Sequence, residues 1–382
     1  MSDVVVVGGG IVGAACAWEL AGRGLSVTLL ERGELAAGAS GRNHGLMLTP
    51  PDPSLVPMFE ASLALYRELE DAAPIPFGLD REPLGFLIAA GEDRGERAAG
   101  REEAEAVAAS GVELEHLVGD EVHEVEPSLS RDLVEGWLLR DGRRLDPAAL
   151  TVSLALASGA EVRRHTTVRS LRTRGEAVVG VVTDDGPVDA DWVVLAAGPW
   201  TAGLARPLGI ELPLTGARGW LVHLRPTQAP LRHLVERAGW HVVGGDDDLA
   251  PMTARALAEA SPRADVGTLL QPNPDGTLLV GGSRQRVVTA EPEDPGVARE
   301  LVRRAAAMVP ALGEAAVLSA WWGIRPMTPS GRPLVGLAQG GLVIATGHGS
   351  QGVILGGGTA RFVGALVSGG PPPFDPAPFE VR

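Results

Sequence analysis

Short unbroken apolar runs recur along the chain and alternate with segments whose apolar residues return every three or four positions. Residues 4–7, all valine, form the first run and predict a strand buried on both faces, as in a parallel sheet. Residues 11–23 follow with helical spacing and stop at Gly24, and residues 25–31 form a second apolar strand ending on Glu31. Helical spacing returns at 58–72, where Met58, Phe59, Leu63, Tyr66 and Leu69 share a face. It returns again in the charged, alanine-rich stretch 92–110, at 146–158 behind an Asp-Pro start, at 295–308 and at 351–367. Strands are predicted at 84–90, 161–164, 168–172, 178–184, 192–196, 219–225, 277–282 and 341–345. Turn signals stand at 184–187 and at Asp275-Gly276. Residues 33–53 are a loop rich in Gly, Ala, Ser and Pro. The tail from 369 to 382 holds Pro371, Pro372, Pro373, Pro376 and Pro378 and is expected to extend without packing as a helix. No internal repeat is visible. The pattern is that of an α/β protein with a mixed α+β character.

Composition narrows the chemistry. The chain has 382 residues, a formal net charge of −15 and 33 Lys+Arg, every one of them arginine. Without lysine there is no Schiff-base residue for pyridoxal phosphate and no P-loop. With one cysteine, Cys16, there is no disulfide within the chain and no cysteine-zinc site. The acidic balance argues against nucleic acid and anionic membranes as partners. No apolar run reaches the roughly 18 residues of a membrane span. The first residues do not read as a signal peptide, so a cytoplasmic protein is expected. The length suggests two domains or one large interleaved one.

The first strand runs directly into Gly8-Gly9-Gly10-Ile11-Val12-Gly13, a Gly-x-Gly-x-x-Gly fingerprint that opens a helix and precedes a strand ending on an acid. In that context Gly8 serves the tight turn, Gly10 lets backbone approach a pyrophosphate, and Gly13 lets helix and sheet meet. The helix N-terminus offers Ile11, Val12 and their neighbours as N–H donors to phosphate. Glu31 suits ribose hydroxyls and repels a 2′-phosphate. Strand–turn segments return much later, at 192–200 and 341–352. A cofactor contacted from three distant segments is long, as FAD is.

Together with the fingerprint, the segments Ala39-Ser40-Gly41-Arg42-Asn43-His44-Gly45, Ala196-Ala197-Gly198-Pro199-Trp200-Thr201, Gly323-Ile324-Arg325-Pro326-Met327-Thr328-Pro329-Ser330-Gly331 and the 347–352 loop resemble the D-amino-acid oxidase superfamily of FAD proteins. The resemblance covers most of the chain. It implies a Rossmann-like FAD-binding domain (1–50, 140–212 and 320–370) interleaved with a substrate domain (51–139 and 213–319) on a mixed, largely antiparallel sheet, with 371–382 as tail. It implies cofactor contacts from Glu31 and Arg32, from Ser40, Arg42, Asn43, His44 and Gly45, from a backbone group at Val168, and from Ala197, Gly198 and Trp200. Arg325 and the loop of Gly347, His348, Gly349, Ser350, Gln351 and Gly352 complete the set. That loop would aim a helix N-terminus at the edge of the flavin that becomes negative on reduction. The family's covalent cysteine is missing and Asn43-His44 is offset from a covalent histidine, so noncovalent FAD is expected.

The resemblance also implies oxidation of the CH–NH bond of an amino acid or secondary amine, of the D-amino acid, glycine or N-alkyl type. Arg325 would grip the substrate carboxylate, for which its planar charged fork is suited. His44 and His348 are candidates for orienting substrate or taking a proton. No metal spacing appears among the histidines, including His223 and His241. Tyr66 reads as core. Trp220, Trp240, Trp321 and Trp322 are candidates for an aromatic wall. Oxidation of a 2-hydroxy acid, or a flavin subunit of a multi-subunit amino-acid dehydrogenase, stays open at this point. So do the electron acceptor (oxygen, quinone or a partner subunit) and a homo-oligomer or hetero-complex.

Overall fold

A computed structural model describes residues 2–228, 230–239, 265–287, 295–379 and 381. In chain order the elements are β1 (Ser2–Val7), α1 (Ile11–Gly22), β2 (Val27–Leu30), β3 (Leu46–Met47), α2 (Val56–Glu70), β4 (Phe86–Ala90), α3 (Arg94–Ala108), β5 (Leu114–Val118), α4 (Asp120–Val125), β6 (Glu135–Leu139), β7 (Arg143–Arg144) and α5 (Pro147–Ala157). They continue with β8 (Glu161–Arg163), β9 (Val168–Arg174), β10 (Ala177–Thr183), β11 (Gly186–Leu195), α6 (Thr201–Ala205), β12 (Thr215–Arg225), β13 (Leu234–Arg237), β14 (Asp265–Pro272), β15 (Leu278–Val287), α7 (Gly296–Met308), β16 (Ala316–Met327), β17 (Leu334–Gln339), β18 (Leu342–Thr346) and α8 (Gly352–Ser368).

The first sheet runs β17-β18-β11-β1-β2-β8. Its centre is parallel, with β1 between β2 and β11, and β18 beyond β11. Val4, Val5 and Val6 are fully buried, as an all-valine strand covered on both faces requires. Val4 and Val6 pack into the layer that holds α1, α2, α5 and α8, while Val5 and Val7 pack on the other side with β10 and α6. Strand β11 serves two sheets: residues 186–189 pair antiparallel with β10 and residues 190–195 pair parallel with β1.

The second sheet runs β16-β12-β15-β14-β13-β4-β6-β5 and is antiparallel except for the β13–β4 pair. Trp220, Val222 and Leu224 alternate toward one face, where Leu301, Ala305 and Met308 of α7 cover them. Residues in the other phase of β12, Gly219 and Leu221, face the opposite side and help form the cleft described below.

The expected helices form, with ends moved by a few residues. Asp146 caps α5 by accepting from the N–H groups of Ala148 and Ala149, and Asp93 caps α3 by accepting from Glu96 N–H. Strands β3, β5, β6, β7, β13, β14, β16 and β17 and the short helices α4 and α6 are additions to the sequence reading. The tail forms no α-helix, but it packs. Phe374 and Phe379 meet Phe362 of α8 edge-on at 5.6 and 6.4 Å, and Phe379 is 1% exposed. Among the described residues no helix is long and apolar enough to cross a membrane.

Truncating a buried phenylalanine leaves a cavity that costs about 3 kcal/mol or more. Phe379→Ala is therefore expected to lower stability by about that amount in urea denaturation. A tail that merely trailed in solvent would show no change.

Candidate active site

A cleft of about 770 Å³ opens between the C-terminal ends of the parallel strands and the free face of the second sheet. Val7 and Gly8 after β1, Leu30 and Glu31 after β2, Ala196 and Ala197 after β11, and Thr346 at the end of β18 supply one wall. Open α/β sheets bind ligands at these strand ends, where the chain leaves the sheet and backbone groups are unpaired.

At one end the glycine-rich turn is built by close approach. Gly8 has φ +114°, and a Cβ there would stand 2.5 Å from the Ala196 carbonyl oxygen. A Cβ on Gly13 would lie 1.9 Å from the Gly8 carbonyl oxygen, so Gly13 shapes the turn without lining the cleft. Gly10, Ile11 and Val12 do line it. The Ser40 hydroxyl accepts from Ile11 N–H at 2.9 Å and fastens the 39–45 loop to the start of α1. Glu31 accepts from Gly9 N–H at 2.7 Å and from Gly33 N–H at 2.9 Å, which fixes its carboxylate at the cleft wall with lone pairs to spare. The Arg32 guanidinium stacks on the Trp200 ring at 3.7 Å, so these two cleft residues form one unit beside Glu31. Val168, Ala197 and Gly198 line the cleft as expected. A helix N-terminus whose N-cap residue is glycine, an acid fixed beside it and a backbone too close for side chains fit the pyrophosphate and ribose of a dinucleotide.

The loop from Ser40 to Gly45 runs along the cleft and is held from within. Asn43 Nδ2 donates to the Ala39 and Ser40 carbonyls, and its Oδ1 accepts from Gly45 N–H. Asn43 therefore shapes the loop as well as lining the cleft. Arg42 donates to the Trp322 carbonyl at 3.0 Å, joining the loop to β16. Of the described members of the proposed aromatic wall, only Trp322 reaches the cleft. Trp220 lies in the core beneath it, Trp321 packs edge-on to His223, and Trp240 and His241 lie outside the described residues.

The other end holds α8, Arg325 and two histidines. Gly352, Val353 and Ile354 in the first turn of α8 line the cleft, and no side chain caps that helix. Gly349 N–H donates to the Pro326 carbonyl at 2.8 Å, tying the loop to β16. His348, Gly349 and Ser350 line the cleft, whereas Gly347 and Gln351 form the turn behind it. Tyr66 is buried in the core and donates to the Val353 carbonyl, steadying the same turn.

His348 is 3% exposed and its Nε2 shares a hydrogen bond with the Thr359 hydroxyl at 2.8 Å; burial pushes its pKa down to about 3. His44 is likewise pushed down to about 3, first by burial and then by the nearby Arg325 charge. Its ring lies against Gly281, where an added Cβ would stand 2.2 Å from Cε1, and its Nε2 is buried without a hydrogen-bond partner. Burial thus favours the neutral form of both rings. The structure brings both histidines to the cleft as walls.

Arg325 lines the cleft with its guanidinium laid flat over Gly219; a Cβ there would lie 2.0 Å from Nη1. Nη1 donates to the Ser283 carbonyl at 3.1 Å, and among the described residues no carboxylate pairs with Arg325. Burial, then the neighbouring Arg284, pushes its pKa down to about 10, so the group is a cation at neutral pH. A cation held in a cleft without a counter-charge attracts a carboxylate strongly. Sequence reasoning missed the residues that build this place, Gly219, Gly281, Leu269, Ser283 and the cleft carboxylate Glu236. Only strand register brings them together.

Two outcomes follow. Gly219→Ala pushes only the mobile end of Arg325, so the fold is expected to survive. Affinity for small carboxylates, read by titration of the cofactor-loaded protein, should fall about tenfold, the scale of one charge-assisted hydrogen bond. The histidines bear on acid stability. Each titrates near 6.5 when unperturbed and near 3 in the fold, so the unfolded chain binds more protons in that interval. Stability should be fully present above about pH 6.5 and be lost as pH falls toward 3. His348→Gln should flatten that slope in pH-dependent urea titrations.

Comparison with known proteins agrees with this geometry. The family described as DAO, FAD dependent oxidoreductase, matches residues 3–366. Glycine oxidase of Pseudomonas aeruginosa is 28% identical over 98% of this chain and 97% of its own length. D-amino acid dehydrogenase of Paramagnetospirillum magneticum is 28% identical over 96% of this chain and 95% of its own. The crystal structure of glycine oxidase from Geobacillus kaustophilus superposes with a TM-score of 0.84 at 26% identity, covering 100% of this chain and 98% of that one. With its fingerprint turn, its strand-end cleft and the match along nearly its whole length, the chain belongs to the DAO family of FAD-dependent oxidoreductases.

Proposed function

We propose that the protein oxidises the CH–NH bond of an amino acid or a secondary amine bearing a carboxylate. The observation that carries this reading is Arg325, a cation in the cleft that no carboxylate of the described chain neutralises. The glycine oxidase and D-amino acid dehydrogenase relatives support the same substrate class. In this reading residues 1–50, 140–212 and 320–370 hold the cofactor, and 51–139 and 213–319 supply the substrate side. Noncovalent attachment follows from Cys16 being buried in α1 and from His44 Nε2 being buried against Gly281.

FAD held in this cleft would supply a two-electron, hydride-accepting centre. Gly8, Gly10 and the first turn of α1 would hold its phosphates and Glu31 its ribose, and the first turn of α8 would offer N–H groups to the flavin. Arg325 fixes the substrate carboxylate and so orients the adjacent carbon, and orientation of this kind supplies much of the rate. The substrate nitrogen reacts in its neutral form, its ammonium proton leaving to solvent before the hydride is transferred. The resulting imine hydrolyses to an oxo acid and an amine.

The test is anaerobic titration of the yellow protein with D- and L-amino acids, N-methyl amino acids and 2-hydroxy acids. Bleaching by amino acids is expected; bleaching by hydroxy acids alone would replace the reading with CH–OH oxidation. Repeating turnover with oxygen, a quinone and a redox dye identifies the acceptor. Arg325→Ala should raise KM for carboxylate substrates about 100-fold or more, the scale of a lost charged pair. An unchanged KM would remove Arg325 from this role.

A further inference from the structure

A chain of polar contacts runs from the cleft into the layer between α8 and α2. His348 lines the cleft, and its Nε2 lies 2.8 Å from the hydroxyl of Thr359 in α8. That hydroxyl in turn lies 3.5 Å from the sulfur of Met58 in α2. Thr359 and Met58 are fully buried. The helix contact that carries them is set by backbone, since a Cβ on Gly358 would meet the Met58 carbonyl oxygen at 2.2 Å.

These contacts fix where the imidazole proton sits. Burial favours neutral His348, so one ring nitrogen carries a proton and the other a lone pair. A hydroxyl has one proton to give, and a thioether can only accept. Both contacts become hydrogen bonds only when the Thr359 hydroxyl donates to the sulfur and accepts from Nε2–H. The reverse assignment, hydroxyl to Nε2, makes one bond and leaves the sulfur with none. Nδ1 is then the lone-pair nitrogen. Among the described residues Nδ1 has no hydrogen-bond partner, and unlike His44 Nε2 it is not shut off in the interior.

The neighbours of Gly352 identify the donor that Nδ1 faces. A Cβ on Gly352 would stand 3.7 Å from Ile11 Cγ2 and 4.0 Å from His348 Cβ, so His348 sits where the first turns of α1 and α8 meet. The first of these turns suits phosphate and the second the flavin ring. Between its phosphates and its ring FAD carries the ribityl chain, whose hydroxyls are donors. We propose that Thr359 is a positioning residue that holds His348 as the Nε2–H tautomer, so that Nδ1 accepts a hydrogen bond from a ribityl hydroxyl of FAD. This rests on membership of the FAD-dependent family and not on which substrate bond is oxidised.

The tautomer is read from long-range proton–nitrogen NMR spectra of isotope-labelled protein, with the His348 signals assigned by their loss in His348→Asn. In parallel, the affinity of the apoprotein for FAD, and for analogues that each lack one ribityl hydroxyl, is measured by flavin fluorescence for wild type, Thr359→Val and Thr359→Ser. The wild type should show the Nε2–H pattern, and FAD should shift the Nδ1 resonance without protonating it. Thr359→Val keeps the shape and removes the acceptor. It should lose the Nε2–H preference and bind FAD about fivefold more weakly, the scale of one neutral hydrogen bond. Thr359→Ser should restore both. One analogue should bind the wild type about fivefold more weakly than FAD does, while Thr359→Val binds the two alike. A wild-type ring protonated on Nδ1 would overturn the proposal, as would analogues that all bind the wild type as tightly as FAD, and both measurements stand even if Thr359→Val fails to fold. A folded Thr359→Val with unchanged tautomer, unchanged FAD affinity or the same ratio to wild type for every analogue would overturn it too.

Discussion

Helix α1 lies against β1 with no room for one carbon atom between them: a Cβ on Gly13 would stand 1.9 Å from the Gly8 carbonyl oxygen. Everything at the nucleotide end follows from that contact. It points the first N–H groups of α1 past the end of β1, and it leaves Gly10 close enough to Ser40 that a Cβ would meet the hydroxyl at 2.9 Å. The Ser40 bond to Ile11 N–H then brings the whole 39–45 loop along the cleft. Helix α8 repeats the principle against α2, where a Cβ on Gly358 would meet the Met58 carbonyl oxygen at 2.2 Å. The Ser62 hydroxyl accepts from Gly358 N–H across this contact. The two helices whose N-termini face the cleft are thus positioned by backbone contacts, which hold them more rigidly than exchangeable side chains would.

Charge is handled differently in the two halves of the molecule. Because every basic residue is arginine, structural acids are met by planar forks: Arg144 binds Asp80 through Nε at 2.7 Å and Nη2 at 3.0 Å, and Arg361 spans Glu19 and Glu68. Arg325 has the same fork and spends one N–H on a carbonyl. Its stacking on Gly219 keeps the remaining donors level with the floor. The neutral histidines fit this arrangement, because a charged imidazole beside Arg325 would weaken its hold on an anion.

How much of this was legible in the sequence depends on how local each feature is. The fingerprint, Glu31, the 39–45 loop and the 347–352 loop are each written in a few consecutive residues, and all reach the cleft. Strand β16 was invisible because Ala316–Met327 mixes exposed apolar residues, glycine and proline at the sheet edge, so it shows neither alternation nor a buried run. Strand β13 is four residues long, with Glu236 beside Arg237, and reads as loop. Gly219 and Gly281 look like ordinary strand glycines. Their meaning lies in what crosses above them, an arginine from β16 and a histidine from a loop far earlier in the chain. No window of sequence contains both partners.

The second sheet builds its wall of the cleft by register, whereas the first builds its wall by turn geometry. Strand side chains alternate between faces, so the pairings of Ala217 with Arg325 and of Glu236 with Leu269 decide which charges stand over the cleft. A slip of one residue in β13 would turn Glu236 toward the face covered by α7 and present Val235 or Arg237 instead, while leaving the fingerprint and Arg325 untouched. The distance between the two ends of this floor, at Arg325 and at Glu236, is set by the number of strands between them, a property of the fold. The identity of each end is set by a single residue.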